Sequence, residues 1–220
     1  MTEYIDSAQV AAAFDRVTAR MLEIEDYLNR LDAAMGDGDA GITAAKGAAG
    51  VREYLAANAP GDDLGKYIAN AGSAFNKTAP STLAALTATA CMRAGKEAKG
   101  LTQLDAPTLA KMLQAADLGI QERGKTKPGD KTMVDAIHPA VEAFADAVAQ
   151  GKNLAEAGQA LLQAARQGRD SAIALRSKVG RASWVGERTE NQPDPGTVLF
   201  VQLVEVVLGA DFSEPGSTLK

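Results

Sequence analysis

The chain has one cysteine and one histidine in 220 residues, aromatic side chains make up only 5% of it, and long apolar runs are missing. Each scarcity excludes something. With Cys91 alone no intrachain disulfide can form, so the core must come from packing, and a reducing, cytoplasmic setting is expected. With His138 alone, neither a histidine zinc site nor a Ser-His-Asp hydrolase has more than one candidate. His138 precedes Pro139 inside an apolar helical pattern, where a structural role is expected. The longest apolar stretch, 198–208, is interrupted by Gln202 and Glu205 and is too short to cross a bilayer. The opening Met1-Thr2-Glu3-Tyr4 lacks the charged and apolar blocks of a signal peptide. A net charge of −5 without a basic stripe argues against nucleic acid as a partner. It does not argue against a phosphate ligand, which metal and helix ends can hold.

What is present is mostly helix. β-branched runs are rare and alanine is abundant, a composition that favours helix. Val10, Phe14, Val17, Met21, Ile24, Leu28 and Leu31 recur at three- and four-residue spacing, with Asp6 or Ser7 as N-cap. Similar periods cover 43–55, 64–75, 83–99, 109–120, 133–148 and 154–175. The valine-rich segment 198–208 reads as a buried helix, since no convincing second strand exists to pair with it. The count is about eight helices. No linker divides them, so one domain is expected over 1–210, followed by a frayed tail over 211–220.

The helices are chemically bland and the loops are not. Asp32, Asp37 and Asp39 place three carboxylates within eight residues, among Gly36, Gly38 and Gly41. They repel one another, and Asp32 sits near a helix C-terminus, where the dipole disfavours negative charge. A hard divalent cation such as Mg²⁺, which takes few carboxylates plus substrate phosphates, would offset that. Gly41 and Thr43 open the next helix, whose first amides can receive a phosphate. The plain alternative is a solvated Asp/Gly turn. In Thr78-Ala79-Pro80-Ser81-Thr82 the small side chains let a ligand approach, and the Ser81 and Thr82 hydroxyls can reach phosphate oxygens, although the segment also suits an ordinary helix start. The stretch from Gly124 to Met133 only superficially suggests a phosphate-binding P-loop, because no Gly-Lys-Ser/Thr follows Gly129 and no strand precedes it. Met133 offers a soft apolar surface to a base or belongs to the core. In Gly180-Arg181-Ala182-Ser183-Trp184-Val185-Gly186-Glu187-Arg188 the arginines suit phosphate oxygens or neighbouring acids, and Trp184 reads as a packing anchor. Asp194-Pro195-Gly196 turns into the last helix.

Taken in order, these loops resemble those of the nucleotide-binding L-subunit family of the dihydroxyacetone kinases. The carrying residues are Asp32 with Gly36-Asp37-Gly38-Asp39-Ala40-Gly41, the run from Pro128 to Asp135, and the run from Gly180 to Arg188 with Asp194-Pro195-Gly196. The resemblance implies an all-α antiparallel eight-helix barrel with an adenine nucleotide, ATP or ADP, at one end. It places Asp32, Asp37 and Asp39 on magnesium-ligand positions. Ala40, Gly41, Ile42 and Thr43 fall in the phosphate cradle, with Ser81 and Thr82 beside it. Gly124 and Met133 fall on nucleotide contacts, and Asp194, Pro195 and Gly196 on the turn beside the nucleotide. Arg181 falls on the phosphate contact expected to act in catalysis. It further implies a kinase active with a separate K subunit that holds a small ketose, with a phosphotransferase-system protein or ATP as donor. Two departures stand out. Ala40 replaces a frequent histidine, and residues 78–82 replace a glycine-rich loop, which leaves dihydroxyacetone and erythrulose both open as acceptors. A regulatory module that binds nucleotide and a partner without turnover is the alternative of a different class.

Overall fold

The computed structural model describes residues 4–219 and is almost entirely helical. A short strand β1 (Tyr4–Asp6) leads into α1 (Ser7–Glu23), α2 (Glu25–Met35), α3 (Ala40–Ala57), α4 (Leu64–Thr78) and α5 (Thr82–Glu97). A second strand β2 (Gln103–Asp105) precedes α6 (Ala106–Gly124), α7 (Val134–Ala149), α8 (Leu154–Ser171), the single turn α9 (Ala182–Val185) and α10 (Pro195–Leu208). The 10–31 pattern, expected as one helix, is broken where Ile24 leaves helical geometry at φ −96°, ψ 13°. Counted as one broken helix, α1–α2 makes the number of long helices eight, as the periodicity implied.

These helices pack in chain order. α1–α2 lies against α3, then α4, α5, α6, α7 and α8 follow, and α10 contacts both α8 and α1, closing an antiparallel ring. The inner faces are built from small residues, with Ala44, Ala48, Ala71, Ala84, Ala136, Ala140 and Ala165 buried around Leu28, Phe75 and Val198. Alanines hold the helices close, and each buried Leu, Val or Phe adds roughly 1.5–3 kcal/mol.

The two strands, which periodicity did not reveal, pair antiparallel with Ile5 opposite Leu104. Each ends in the aspartate that caps the next helix. Asp6 accepts from the Gln9 amide at 2.8 Å, and Asp105 from the Thr108 amide at 2.9 Å. The ladder therefore ties the starts of α1 and α6 together, and Leu104 is buried with Val10, Leu64, Tyr67 and Met112. That closes one end of the barrel. The loops after α2, α4, α6 and α8 all return to the other end.

Residues 211–218, expected to fray, are held down. Arg169, fully buried on α8, donates to the Asp170 carboxylate at 2.7 Å, the Ser213 carbonyl at 2.7 Å and the Glu214 carbonyl at 2.9 Å. Asp170 in turn accepts from the Gly216 amide at 2.7 Å and from the Thr218 hydroxyl at 2.6 Å. Burial would raise the Asp170 carboxyl, but Arg169 and these donors outweigh it and hold the group below the usual range. On α10 the buried Glu205 accepts from the Ser213 hydroxyl at 2.6 Å and from Arg166 at 2.9 Å. The tail is structured because a buried guanidinium needs more acceptors than Asp170 supplies, and the carbonyls and serine hydroxyls of the tail provide them. Arg169→Ala would leave Asp170 buried without its partner, a loss of about 3–5 kcal/mol. Urea unfolding should read that loss, and limited proteolysis should cut first within 211–218.

Candidate functional site

The three aspartates of the first rich loop meet. One carboxylate oxygen from each of Asp32, Asp37 and Asp39 lies within 4.8 Å of the others. Asp32 is the fixed member. Its Oδ2 accepts from the amides of Asp39 at 2.9 Å and Ala40 at 3.1 Å, which pins the loop to the end of α2. Asp39 occupies the N-cap position of α3 without making a side-chain capping bond, so its carboxylate is turned to the cluster. Arg181, from the loop after α8, closes the group: Nη1 contacts Asp37 Oδ2, and Nη2 stands 3.8 Å from Asp39 Oδ1. Of its two readings in sequence, phosphate ligand and partner of nearby acids, the contacts with Asp37 and Asp39 answer to the second.

The first turn of α3 is seated on α2. Asn29 Oδ1 accepts from the Ile42 amide at 3.1 Å. At Gly41 a Cβ would fall 1.9 Å from the Glu25 carbonyl oxygen, so no larger residue fits this approach. Two first-turn amides of α3 are thus already bound by α2 side chains, through Asp32 and Asn29. Ser81 caps α5 by accepting from the Ala84 amide at 3.1 Å, while Thr82 is exposed beside it. On the far side of the rim, Met133 packs on Gly196, where a Cβ would lie 3.2 Å from that of Met133. Asp194 caps α10 through the Thr197 amide at 2.8 Å, with Pro195 in the first turn. Gly124 ends α6, followed by Lys125 in the left-handed conformation. Among the described residues Ser81, Thr82, Gly124 and Met133 make no hydrogen bond to the carboxylate cluster; they share its end of the barrel.

Comparison with known proteins gives the family and the fold. Residues 34–209 match the family model described as the DAK2 domain. The chain belongs to the DAK2 domain family. It is 30% identical to the ADP-binding subunit DhaL of the PEP-dependent dihydroxyacetone kinase of Escherichia coli, over 83% of this chain and 86% of that one. It is 32% identical to a D-erythrulose kinase of Mycolicibacterium smegmatis, over 85% of this chain but 32% of the kinase. Crystal structures of the dihydroxyacetone kinase of C. freundii superpose with a TM-score of 0.72 in the native form and 0.69 in complex with AMP-PNP and Mg²⁺. They are 26% and 25% identical to this chain, cover 96% of it, and are matched over 36% and 35% of their own length. The chain therefore spans most of the E. coli subunit and about a third of the larger kinases.

Behind the rim of this DAK2 domain stands a layer that sequence reading missed. Lys131 is buried, with φ +57°, and its Nζ donates to the carbonyls of Ile173 at 2.8 Å and Leu175 at 2.9 Å. Asp130 accepts from the Lys127 amide at 3.0 Å, and its carbonyl accepts from the Lys178 amide at 3.1 Å. Asp135 takes the amides of Gly129 and Thr132 at 2.5 and 2.8 Å. Together these bonds lock the loop after α6 to the chain that leads to Arg181. A lysine and two aspartates in and beside a loop look solvent-facing in sequence, and only their burial reveals the lock.

Trp184 corrects the sequence reading. It is 84% exposed at the tip of its loop and anchors no packing. Among the described residues His138 makes no hydrogen bond to the carboxylate cluster; its Nδ1 lies 2.8 Å from Asp117 on α6. A concavity of about 570 Å³ lined by Arg52, Asn58 and Tyr67 lies at the opposite end of the barrel and touches no candidate residue.

Burial pushes the Asp194 carboxyl up from 3.8 to about 7; the Thr197 amide and Lys131 pull it down, and Asp135 adds to the rise. Burial also lowers the Lys131 ammonium, against the pull of Asp194, Glu190 and Asp135. Folded protein therefore binds the Asp194 proton more tightly than unfolded chain does. Between about pH 4 and pH 7 the native state carries more protons, so this group's contribution to stability falls as pH rises through that window. Asp194→Asn keeps the capping oxygen without the charge. Urea unfolding at pH 4.5 and pH 8 should show a shallower pH dependence in the variant, with its gain over wild type largest at pH 8. An identical pH dependence in both proteins would show that Asp194 does not hold this proton.

Proposed function

We propose that this chain is the nucleotide-binding subunit of a small-ketose kinase of the dihydroxyacetone type. In this reading it holds a magnesium–adenine nucleotide at the open end of the barrel, and a separate ketose-binding subunit presents the acceptor. The observation that carries it is the convergence of Asp32, Asp37 and Asp39 with Arg181 at that rim, on a fold shared with a kinase crystallised with AMP-PNP and Mg²⁺.

The donor set fits the metal. Oxygens on opposite sides of an octahedral Mg²⁺ stand about 4.2 Å apart, and adjacent ones about 3 Å. Three carboxylate oxygens within 4.8 Å of one another need only a small inward adjustment. Bound there, the ion supplies neutralisation of the phosphate oxygens. The chain's own residues do the rest. Asp32 fixes the loop through the Asp39 and Ala40 amides. The start of α3, from Ala40 to Thr43, faces the phosphates with its dipole. Ser81 and Thr82 have hydroxyls to donate to phosphate oxygens. Met133, Gly124 and the turn Asp194-Pro195-Gly196 frame the nucleoside. Arg181 neutralises charge on the phosphoryl group in flight, the role that phosphoryl transfer asks of a protein more than a nucleophile.

A partner that holds the ketose is supported by chemistry, because the single histidine of this sequence is engaged with Asp117. The PEP-dependent E. coli relative supports a phosphotransferase-system protein as donor, with ADP kept bound; exchange of ATP for ADP is the other mode. The acceptor is dihydroxyacetone or erythrulose. No helix among the described residues is long and apolar enough to cross a membrane, and a cytoplasmic site suits the single thiol, Cys91, which burial pushes up to about 11, away from the range in which thiolate forms.

Calorimetric titration of ADP and ATP with and without Mg²⁺ tests the reading. Binding should require Mg²⁺, and Asp37→Asn should weaken it tenfold or more. The melting temperature of that variant should hold or rise, because one of three crowded charges is removed. Nucleotide affinity unchanged by Asp37→Asn would remove the metal assignment.

A further inference from the structure

From the placement of Arg181 we infer that this site discriminates against free divalent metal and takes the preformed metal–nucleotide complex, because Arg181 competes with the metal for Asp37 and Asp39. The inference rests on the nucleotide reading above and adds the form in which the ligand is accepted.

The competition follows from which oxygens are committed. Asp32 Oδ2 is held by two backbone amides. Asp37 and Asp39 are the exposed members, and Arg181 engages both. Among the described residues Arg181 is the only cation in ion-pair contact with the three carboxylates. One positive charge against three negative ones leaves a net local charge of −2, enough to attract a divalent ion. A planar guanidinium and a metal nevertheless draw on the same two carboxylates. Metal arriving alone sets a divalent charge beside a cation already paired there and weakens that cation's hold on its anions. Metal arriving with nucleotide brings phosphate oxygens that the same guanidinium fork can grip bidentately. The nucleotide thereby relieves the competition, and the linkage is reciprocal: each ligand raises affinity for the other.

The segment is built for that exchange of partners. Gly180 and Gly186, at φ +66° and +59°, adopt left-handed conformations that strain any side-chain-bearing residue, and they bracket α9. The base is fixed. The Ser177 amide donates to Thr189 Oγ1 at 3.0 Å, Thr189 is fully buried, and the Lys178 amide is tied to the Asp130 carbonyl at 3.1 Å. Arg176 pairs with Glu187 at 3.2 Å and Glu190 at 3.7 Å across the neck. Residues 179–188 thus form a flap with a rigid base and two glycine pivots. Its tip, Trp184, is 84% exposed and does not hold it down. Turning Arg181 from carboxylates to phosphate disturbs little else.

The signature is a pair of effects of opposite sign. Mn²⁺ serves as the probe, its free concentration read by electron paramagnetic resonance, first alone and then with AMP-PNP. Arg181→Gln should bind Mn²⁺ alone roughly fivefold to tenfold more tightly than wild type, since the site loses its competitor and gains net negative charge. The same variant should bind Mn²⁺–AMP-PNP at least tenfold less tightly. Arg181→Lys keeps the charge without the fork, so its affinity for Mn²⁺ alone should stay near wild type while the nucleotide complex weakens. Arg181 is half exposed, and circular dichroism of both variants should match wild type. If Arg181→Gln binds Mn²⁺ alone no better than wild type, while wild type binds Mn²⁺–AMP-PNP normally, the competition is overturned and the nucleotide function stands. If wild type binds no nucleotide with or without Mn²⁺, the functional reading itself falls and takes this inference with it.

Discussion

Each long helix of this ring runs against its neighbours, so every second connection must return to the same rim. That constraint gathers four separate loops at one end, although the first carboxylate and the last cap lie 162 positions apart in sequence, from Asp32 to Asp194. The opposite end is stoppered by the β1–β2 ladder, whose two strands each finish in a helix-capping aspartate. The loops rich in carboxylates, glycines and arginines therefore collect on one face of the barrel, and the wall is free to be chemically plain alanine.

A rim crowded with acids carries a cost that the surrounding structure offsets in layers. Backbone amides absorb part of the charge on Asp32, and Arg181 answers Asp37 and Asp39. Arg181 can do so only because its loop is moored from below. Lys131 holds the carbonyls of Ile173 and Leu175, and Asp130 holds the incoming strand of that loop. The buried lysine and the buried Asp194 are each displaced from their ordinary titration ranges, and they lie close enough to influence one another. The mooring bonds hold the base of the loop, and the two glycines at positive φ bracket the turn beside Arg181.

Closure of the ring depends on a second charged device at its seam. α10 is the last helix to arrive and must fit between α8 and α1. The buried Arg169–Asp170 pair and Glu205 fasten residues 211–218 over it. A single arginine with five donors organises this seam because two of its acceptors are the main-chain carbonyls of Ser213 and Glu214, which no side-chain pattern advertises.

Much of this was legible in the amino-acid sequence. Helical periodicity yields the eight long helices because an amphipathic face must repeat every three to four residues wherever it is buried. The carboxylate loop, the Gly124–Met133 stretch and the arginine segment were visible because carboxylates, glycines and arginines concentrate where a chain is not packing itself. Other features belong to the tertiary structure alone. Three-residue strands are too short to show a period, so β1 and β2 went unseen. Trp184 reads as an anchor by its chemistry, yet its side chain stands exposed at the loop tip. The tail reads as solvent-loving by composition, but its carbonyls are what Arg169 requires. The pairing of Arg181 with Asp37 and Asp39 joins residues more than 140 positions apart, and only closure of the ring brings them together. Local composition determines helices and loops, because propensity and burial period act over a few residues. Which charges meet is decided by packing, because electrostatic partners are chosen by distance in space.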